Sequence, residues 1–277
     1  MSAPPVFPPP RHLTRDLAVR IRREGGVATL TLPIVAALLD ASGRLRIGVA
    51  AMVADIISGE AAVREALPGW IATLGLSIQT DELPAEGHLT ARARKIRKGR
   101  TTVVFEVDLA HAETGIPVGL STLTFSLLPA RTDLQARATW AEEPAPETDF
   151  ATGDSGFASP LLDSIGFTVD STDPAVARAP KTDYVGNTLG AMTGGVVAIL
   201  AEAAADHLAA NELGGATCVR SLEIHFLRLA KTGPVRAEAR TIGRLESARI
   251  VRVELRDEGR DDVVTTLATV VVDRARP

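Results

Sequence analysis

Two acidic side chains each interrupt the apolar first part of a helix-forming stretch of the sequence. Asp55 lies in the stretch GVAAMVADIISGEAAVREAL, which begins at Gly48, and Glu202 lies in GVVAILAEAAADHLAANEL, which begins at Gly195. A carboxylate in such surroundings can attack an electrophile or remove a proton from water. Gly194 and Gly195 lie at the start of the second stretch. If this is the N-terminus of a helix, its unpaired N–H groups favour developing negative charge. The alternative interpretations are that the glycines only allow close packing of the chain and that the acids have a structural role.

A single helix cannot bring such an acid to its own N-terminus. Asp55 lies seven residues beyond Gly48, which is roughly 10 Å along a helix axis. If the two helices pack antiparallel, however, each acid lies opposite the first turn of the other helix. The sequence therefore predicts two composite sites, each with an acid from one helix and backbone amides from the other.

The two helices belong to an internal repeat. Asp55 and Glu202 are 147 residues apart, and four further pairs share that register. The pairs are Gly48 with Gly195, Gly43 with Gly190, Asp40 with Asn187, and Pro33 with Pro180. A single-residue slip then pairs Gly87 with Gly233. These coincidences indicate that the chain is a tandem duplication.

Each helix is followed by four stretches with the alternation and β-branched content of strands. They are Ile71–Asp81, His88–Ile96, Thr101–Leu109 and Val118–Leu127 in the first copy, and Cys218–Leu227, Val235–Ile242, Arg249–Arg256 and Val263–Asp273 in the second. A long helix followed by an antiparallel meander predicts an α+β fold. Prolines and few large apolar residues indicate a linker, so we predict two units, residues 1–128 and 151–277, joined by residues 129–150.

Local motifs in both copies resemble one known family. The run NTLGAMTGG from Asn187 to Gly195, followed by Glu202, resembles the N-x-x-G-x-x-H-G-G…D/E signature of PaaI-like hotdog thioesterases of the 4HBT-type superfamily. The run from Ile96 to Thr101, with the strand and turn after it, is similar to that family's x-K-x-G-K-T…V-x-L…T-G pattern. The resemblance implies a double hotdog, in which each half is a long central helix wrapped by a curved antiparallel β-sheet. It also implies hydrolysis of an acyl-CoA thioester.

The resemblance implies a role for each residue of the first composite site. This site combines Asp55 and Thr73 from the first copy with Asn187, Thr193, Gly194 and Gly195 from the second. Asp55 is then the nucleophile or the general base, and Thr73, eighteen residues past it, holds the attacking water. Asn187 contacts the carbonyl or positions the loop, and the glycine amides polarise the carbonyl. We expect Thr193 to cap the helix through its hydroxyl oxygen.

The second composite site departs further from the family pattern. It combines Glu202 with Asp40, Arg46 and Gly48, and Val219 stands where a Ser or Thr is expected. An anionic Asp40 repels an oxyanion, and Arg46 is expected to neutralise Asp40 or Glu202. The signature histidine is absent from both copies, where Thr193 and Arg46 replace it. A non-catalytic acyl-CoA-binding protein is therefore the alternative function.

A dense basic run lies in and just after the second predicted strand of the first copy. Arg97, Lys98, Gly99 and Arg100 follow Arg92 and Arg94 in an otherwise acidic chain. Guanidinium groups suit the phosphates of coenzyme A, so this run is the predicted CoA-binding segment. An edge strand protected by charge is the alternative interpretation.

Composition restricts the remaining possibilities. A net charge of −4 and a pI of about 5.8 favour neither nucleic acid nor an anionic membrane as partner. The single cysteine, Cys218, excludes an internal disulfide and indicates a reducing cytoplasm. The five histidines show no metal-binding spacing, and no cofactor motif is present. We therefore expect no cofactor, an acyl-CoA substrate and, because hotdog dimers commonly pair again, a homodimer of double-hotdog chains.

Overall fold

The computed structural model describes residues 7–25, 27–130 and 144–275. The α-helices in these ranges are α1 (Leu13–Asp16), α2 (Ile47–Ala66), α3 (Leu161–Ser164) and α4 (Gly194–Leu213). The strands of the first half are β1 (Arg20–Glu24), β2 (Val27–Pro33), β3 (Trp70–Thr80), β4 (His88–Lys98), β5 (Thr102–His111), β6 (Pro117–Leu128) and β7 (Glu147–Asp149). Those of the second half are β8 (Thr168–Val169), β9 (Val176–Ala179), β10 (Thr217–Phe226), β11 (Val235–Arg244), β12 (Ala248–Asp257) and β13 (Val263–Arg274).

All thirteen strands form one antiparallel sheet. Their order is β7-β1-β2-β4-β5-β6-β3-β10-β13-β12-β11-β9-β8, so β3 and β10 join the two halves at the centre. Each half wraps its strands around its own long helix. The structure confirms the predicted α+β double hotdog, and the sheets of its two halves join into one.

The two central helices pack against each other in antiparallel orientation. Alanine, the residue with the highest helix propensity, recurs in both, and almost every residue of their first three turns is buried. A helix covered on all sides needs no polar stripe, which is why neither sequence shows one. The axes approach closely at Gly48 and Gly195. A Cβ at Gly48 would lie 2.7 Å from the Ile199 Cα, and a Cβ at Gly195 would overlap Met52.

The repeat extends to irregular details of the backbone. The strand β3 has a bulge between Thr73 and Gly75, and β10 has one between Val219 and Ser221, at the register of the 146-residue offset. A bulge re-aims the side chain that begins it. The two copies therefore present Thr73 and Val219 at equivalent places beside the helices.

The predicted linker is described only at its ends. Residues 131–143 lie outside the described residues. Residues 147–149 form β7, which pairs with β1 at the edge of the sheet and is therefore not linker. Within the described ranges, no helix has the apolar length that a membrane crossing requires.

Candidate active site

A cavity of about 850 Å³ lies between the two halves. Buried side chains such as Ile21, Trp70 and Phe125 form its inner wall, whereas the exposed residues Leu74 and Leu227 lie at one mouth. Asp55, Thr73 and the start of α4 also line the cavity. The cavity can therefore take an apolar chain inside and keep a polar group at its mouth.

Asp55 is held at the point where α2 crosses the start of α4. Thr73 Oγ1 donates a hydrogen bond of 2.9 Å to Asp55 Oδ1. Asp55 Oδ2 lies 3.1 Å from the place where a Cβ on Gly194 would be, so only glycine leaves this space open. Burial raises the pKa of Asp55 to about 6, although the Thr73 hydrogen bond opposes that rise. The carboxylate is thus poised for proton transfer or attack near neutral pH.

The first turn of α4 presents unused hydrogen-bond donors beside this carboxylate. The backbone N–H groups of Gly194 and Gly195 have no acceptor among the described residues. Phe226 closes one side, its ring 3.4 Å from the Cβ position of Gly194. A carbonyl oxygen placed here meets two donors and the positive end of the helix dipole.

Asn187 shapes the loop before α4. Its Oδ1 accepts hydrogen bonds from the N–H groups of Leu189 (2.9 Å) and Ala191 (3.0 Å). Its Nδ2 donates to the Met192 carbonyl over 3.4 Å. Of the two roles predicted for Asn187, these contacts support loop positioning, because the amide is used within the loop.

Thr193 occupies the N-cap position of α4, as predicted, but not with the predicted hydrogen bond. Its backbone is extended (φ −64°, ψ 144°), and its side chain makes no capping hydrogen bond. Its own N–H donates to the Val185 carbonyl. The expected hydroxyl cap was therefore wrong, and the amides that it was expected to occupy stay open.

In the second composite site, the acid is Glu202, and its partners differ from those of Asp55. Glu202 is 1% exposed and faces Arg46 at 3.4 Å. Its Oε2 also accepts the Gly48 N–H over 3.3 Å. Burial raises the pKa of Glu202 to about 7, and the charge of Arg46 opposes this rise. Ile47, which is buried, is the counterpart of Gly194, so the second site has a side chain at a position where the first site has none.

Two further residues of the second site differ from their counterparts. Asp40 Oδ1 accepts the N–H groups of Ser42 (2.8 Å) and Arg44 (3.2 Å), so Asp40 holds its loop as Asn187 does. Val219 offers no hydroxyl to Glu202, and the nearby Thr217 donates to Asp206 instead. A smaller cavity of about 430 Å³ lies here, lined by Arg46 and Asp206 but not by Glu202.

The predicted CoA-binding run does not line the larger cavity. Lys98 Nζ donates to the Glu65 carbonyl at 2.7 Å, which ties the run to the C-terminal end of α2. Arg97 and Arg100 are exposed, and Gly99 bonds to Thr102 within the hairpin. The charged residues that do line the cavity besides Asp55 are Arg23, Glu60 and Arg228, and the sequence interpretation missed all three.

The sequence gives little indication that these three residues line a cavity. Arg23 pairs with Glu60 over 2.8 Å, which links β1 to α2 across the cavity wall. Arg228 lies in the loop after β10, outside any motif. Comparison of the two copies could have revealed it, because the 146-residue offset aligns Arg228 with Glu82, a reversal of charge. Among the described residues, no cluster of His, Cys, Asp and Glu is suited to a metal ion.

Comparisons with known proteins agree with this architecture. A model of the acyl-CoA thioesterase N-terminal domain matches residues 186–272. No curated protein matches the sequence significantly. The matched segment includes the loop of Asn187, the start of α4 and most of the sheet of the second half.

Solved structures of similar fold span nearly the whole chain. A Lactobacillus plantarum protein provisionally named an oleoyl thioesterase is 12% identical, with 90% of this chain and 96% of that chain covered and a TM-score of 0.61. A hot dog fold protein of unknown function from Alicyclobacillus acidocaldarius is 13% identical, with 95% and 97% covered and a TM-score of 0.59. The 12:0-ACP thioesterase from Umbellularia californica is 12% identical, with 90% and 94% covered and a TM-score of 0.58.

At these identities the structural likeness shows the fold alone. Together with the match over residues 186–272, it confirms the resemblance to hotdog thioesterases that the motifs predicted.

Proposed function

We propose that this double-hotdog chain, whose residues 186–272 match an acyl-CoA thioesterase domain, hydrolyses an acyl-CoA thioester between Asp55 and the start of α4. One observation carries the proposal. The carboxylate of Asp55 lies against Gly194, beside two helix N–H groups without acceptors among the described residues, in a cavity with an apolar inner wall. Hydrolysis of a thioester needs a nucleophile or base, hydrogen-bond donors for the carbonyl oxygen, and space for the acyl chain.

The amides of α4 polarise the substrate. With the thioester carbonyl oxygen directed at the N–H groups of Gly194 and Gly195, negative charge that develops on it is stabilised by fixed donors. Losing one such donor costs about 10²-fold or more in turnover in related chemistry. Because Gly194 lacks a Cβ, the carbonyl carbon can approach Asp55 Oδ2 directly.

Asp55 can complete the reaction in either of two ways. As nucleophile, its oxygen attacks the carbonyl carbon, and the C–S bond breaks with release of the thiolate. Water then hydrolyses the resulting anhydride, which releases the acid, restores the carboxylate and supplies the proton that the thiolate takes up. As general base, it takes a proton from water while the water oxygen attacks the carbonyl carbon, and that proton passes to the leaving thiolate. In both routes Thr73 orients the carboxylate by donating to Oδ1, which leaves Oδ2 directed at Gly194.

The second composite site lacks the properties that the first one has. Its acid is paired with Arg46, the Gly48 N–H is already bonded to that acid, and Ile47 takes the place of Gly194. The chain therefore holds one working site, and Glu202 has a structural role.

A thiol-release assay over a series of acyl-CoA chain lengths tests the proposal. The wild-type chain should release coenzyme A, and Asp55→Asn should abolish that release while Glu202→Gln keeps most of it. The alternative function, non-catalytic acyl-CoA binding, is suggested by the missing signature histidine. An acyl-CoA that binds in calorimetry and is not hydrolysed by the wild type would establish that alternative.

A further inference from the structure

One cation at the mouth of the larger cavity has no partner among the residues that the structure describes. Arg228 is exposed and lines the cavity, and among the described residues its side chain has neither a hydrogen bond nor an ion pair. The other arginine of the lining, Arg23, is engaged by Glu60, by the Ala145 carbonyl and by Thr148. Arg228 is therefore the cation in the described lining that is open to a ligand.

The backbone of Arg228 is fixed relative to the reacting groups. The N–H groups of Leu227 and Arg228 both donate to the Thr265 carbonyl, at 2.9 and 3.0 Å. The Ala230 carbonyl accepts the Met192 N–H at 2.8 Å, which ties this loop to the residues just before α4. Phe226, whose ring lies beside Gly194 at the start of α4, is two residues earlier, so the Cα atoms of Phe226 and Arg228 are at most about 7 Å apart.

The first copy repeats this loop with the opposite charge. The Leu45 N–H donates to the Pro84 carbonyl at 3.0 Å, as Met192 does to Ala230. The counterpart of Arg228 is Glu82, whose carboxylate pairs with Arg44 at 3.0 Å. The counterpart of Arg44 is Ala191, so the second copy has a cation and no paired acid. The mouth of the first site alone is thus suited to an anion.

We propose that Arg228 binds a phosphate of the thiol carrier whose acyl thioester is hydrolysed at Asp55. This inference rests on the proposed function. With the acyl chain against the apolar inner wall, the thiol portion of the substrate leaves through the mouth where Leu227 and Arg228 lie. Coenzyme A and carrier-bound phosphopantetheine share a phosphate at the end of the pantetheine arm, and a guanidinium binds phosphate through paired N–H donors.

Two substrates that differ by one phosphate test the inference. Acyl-4′-phosphopantetheine and acyl-pantetheine with the same acyl group are compared by kcat/KM. For the wild type we expect the phosphate to raise kcat/KM by about 10- to 100-fold, mainly through KM. Arg228→Ala should lower kcat/KM for acyl-4′-phosphopantetheine and so bring the ratio close to one. Arg228→Lys should restore part of the ratio, and Arg228→Glu, which installs the residue of the first copy, should lower it below one.

Two controls make the result specific. Arg240→Ala removes an exposed arginine of β11 that does not line the cavity, and it should leave the phosphate ratio unchanged. Acyl-CoA and acyl-carrier protein are then compared with the same variants to identify the source of the phosphate. A large effect of Arg228→Ala on acyl-CoA alone identifies free coenzyme A, and a large effect on the carrier-protein substrate alone identifies its prosthetic arm.

The inference and the proposed function fail in different ways. If the wild type hydrolyses both pantetheine substrates equally well, or if Arg228→Ala lowers both rates equally, Arg228 does not bind phosphate. A loss of the phosphate ratio in Arg97→Ala, but not in Arg228→Ala, would locate the anchor in the basic run. If no thioester is hydrolysed, the proposed function fails, and calorimetry with coenzyme A still decides the inference. Weaker binding to Arg228→Ala supports it, and equal binding overturns it.

Discussion

Asp55 and Glu202 occupy equivalent positions of the repeat, yet their surroundings give them opposite expected roles. Asp55 contacts an open amide cluster and a hydroxyl, whereas Glu202 is neutralised by Arg46. We expect Asp55→Asn to lower kcat by about 10²- to 10⁴-fold and Glu202→Gln to leave most activity, as measured by thiol release. Both substitutions preserve side-chain shape, and circular dichroism checks the fold. Equal losses in the two variants would refute the single-site proposal.

The pH dependence of activity should report Asp55. Burial raises the pKa of this carboxyl to about 6, and only the ionised form can attack or accept a proton. We expect kcat/KM to fall about tenfold per pH unit below about pH 6 and to level off above it. Loss of thioester absorbance follows the reaction at every pH. The Glu202→Gln variant should give the same profile, and a midpoint that moves with this variant would assign the titration to Glu202.

Because its pKa is raised, ionised Asp55 should lower the free energy of unfolding. Because the pKa is higher in the folded state than its ordinary 3.8, the group's contribution is fully present below about pH 3.8 and is lost as pH rises through about 6. We therefore expect Asp55→Asn to increase the free energy of unfolding at pH 8 by as much as about 3 kcal/mol. Asparagine retains an acceptor for Thr73. Urea denaturation at pH 8 and pH 4 measures the effect, and an equal gain at both values would contradict it.

Residue types in the repeat predicted much of the first site. Asp55, Thr73 and Gly194 meet as the composite-site interpretation required, because each lies at a position set by helix register or by the strand after it. The side-chain geometry of Thr193, and which of Asp40 and Glu202 pairs with Arg46, could not be predicted from the sequence. They depend on rotamers and on a backbone path that local patterns do not determine.

At the scale of elements, the loop before α4 depends on Asn187 more than on Thr193. Asn187→Ala removes three hydrogen bonds that shape the loop, so we expect a loss of about 1–3 kcal/mol together with lower kcat. Thr193→Ala removes no capping bond and should cost less than about 0.5 kcal/mol, with kcat nearly unchanged. Thermal melts and thiol release measure both effects.

Asp40→Ala provides the matched control for that prediction. Asp40 shapes the equivalent loop before α2 through Ser42 and Arg44. It should therefore destabilise the protein to a similar degree while sparing turnover. A larger loss of kcat from Thr193→Ala than from Asn187→Ala would place the threonine hydroxyl in the chemistry.

Long, patterned elements were predicted closely, and short ones were missed. The bounds of α2, α4 and the eight strands after them differ from the predicted ones by only a few residues. The strands β1, β2, β7, β8 and β9 were not predicted. β1 reads RIRRE, with one apolar residue, and it becomes a strand because β2 and β7 pair with it on both sides. Such pairing over long sequence separations has no local signal.

At the scale of the whole molecule, the central pairing of β3 with β10 makes one cooperative unit. Leu222 is fully buried there and lies opposite Ile78. We expect a single calorimetric transition with equal calorimetric and van't Hoff enthalpies. Leu222→Ala should lower the free energy of unfolding by about 2–5 kcal/mol and shift the whole transition. Two separate transitions, only one of which shifts, would show that the halves unfold independently. A homodimer of two such chains stays a prediction, which light scattering can test.

Covalent fusion removes a constraint that a dimer of identical hotdog subunits obeys. In an isologous dimer each substitution occurs twice, and a residue that harms one site harms the other. Here Arg46, Ile47 and Glu82 belong to one half only, so they change the second site and are not repeated in the first. The first half, which supplies Asp55, is thereby free to lose the open amides at the start of its own helix. The second half, which supplies the amides at Gly194, is free to lose the function of its acid, Glu202. Each half can specialise as a donor of one chemical group, which no subunit of a symmetric pair can do.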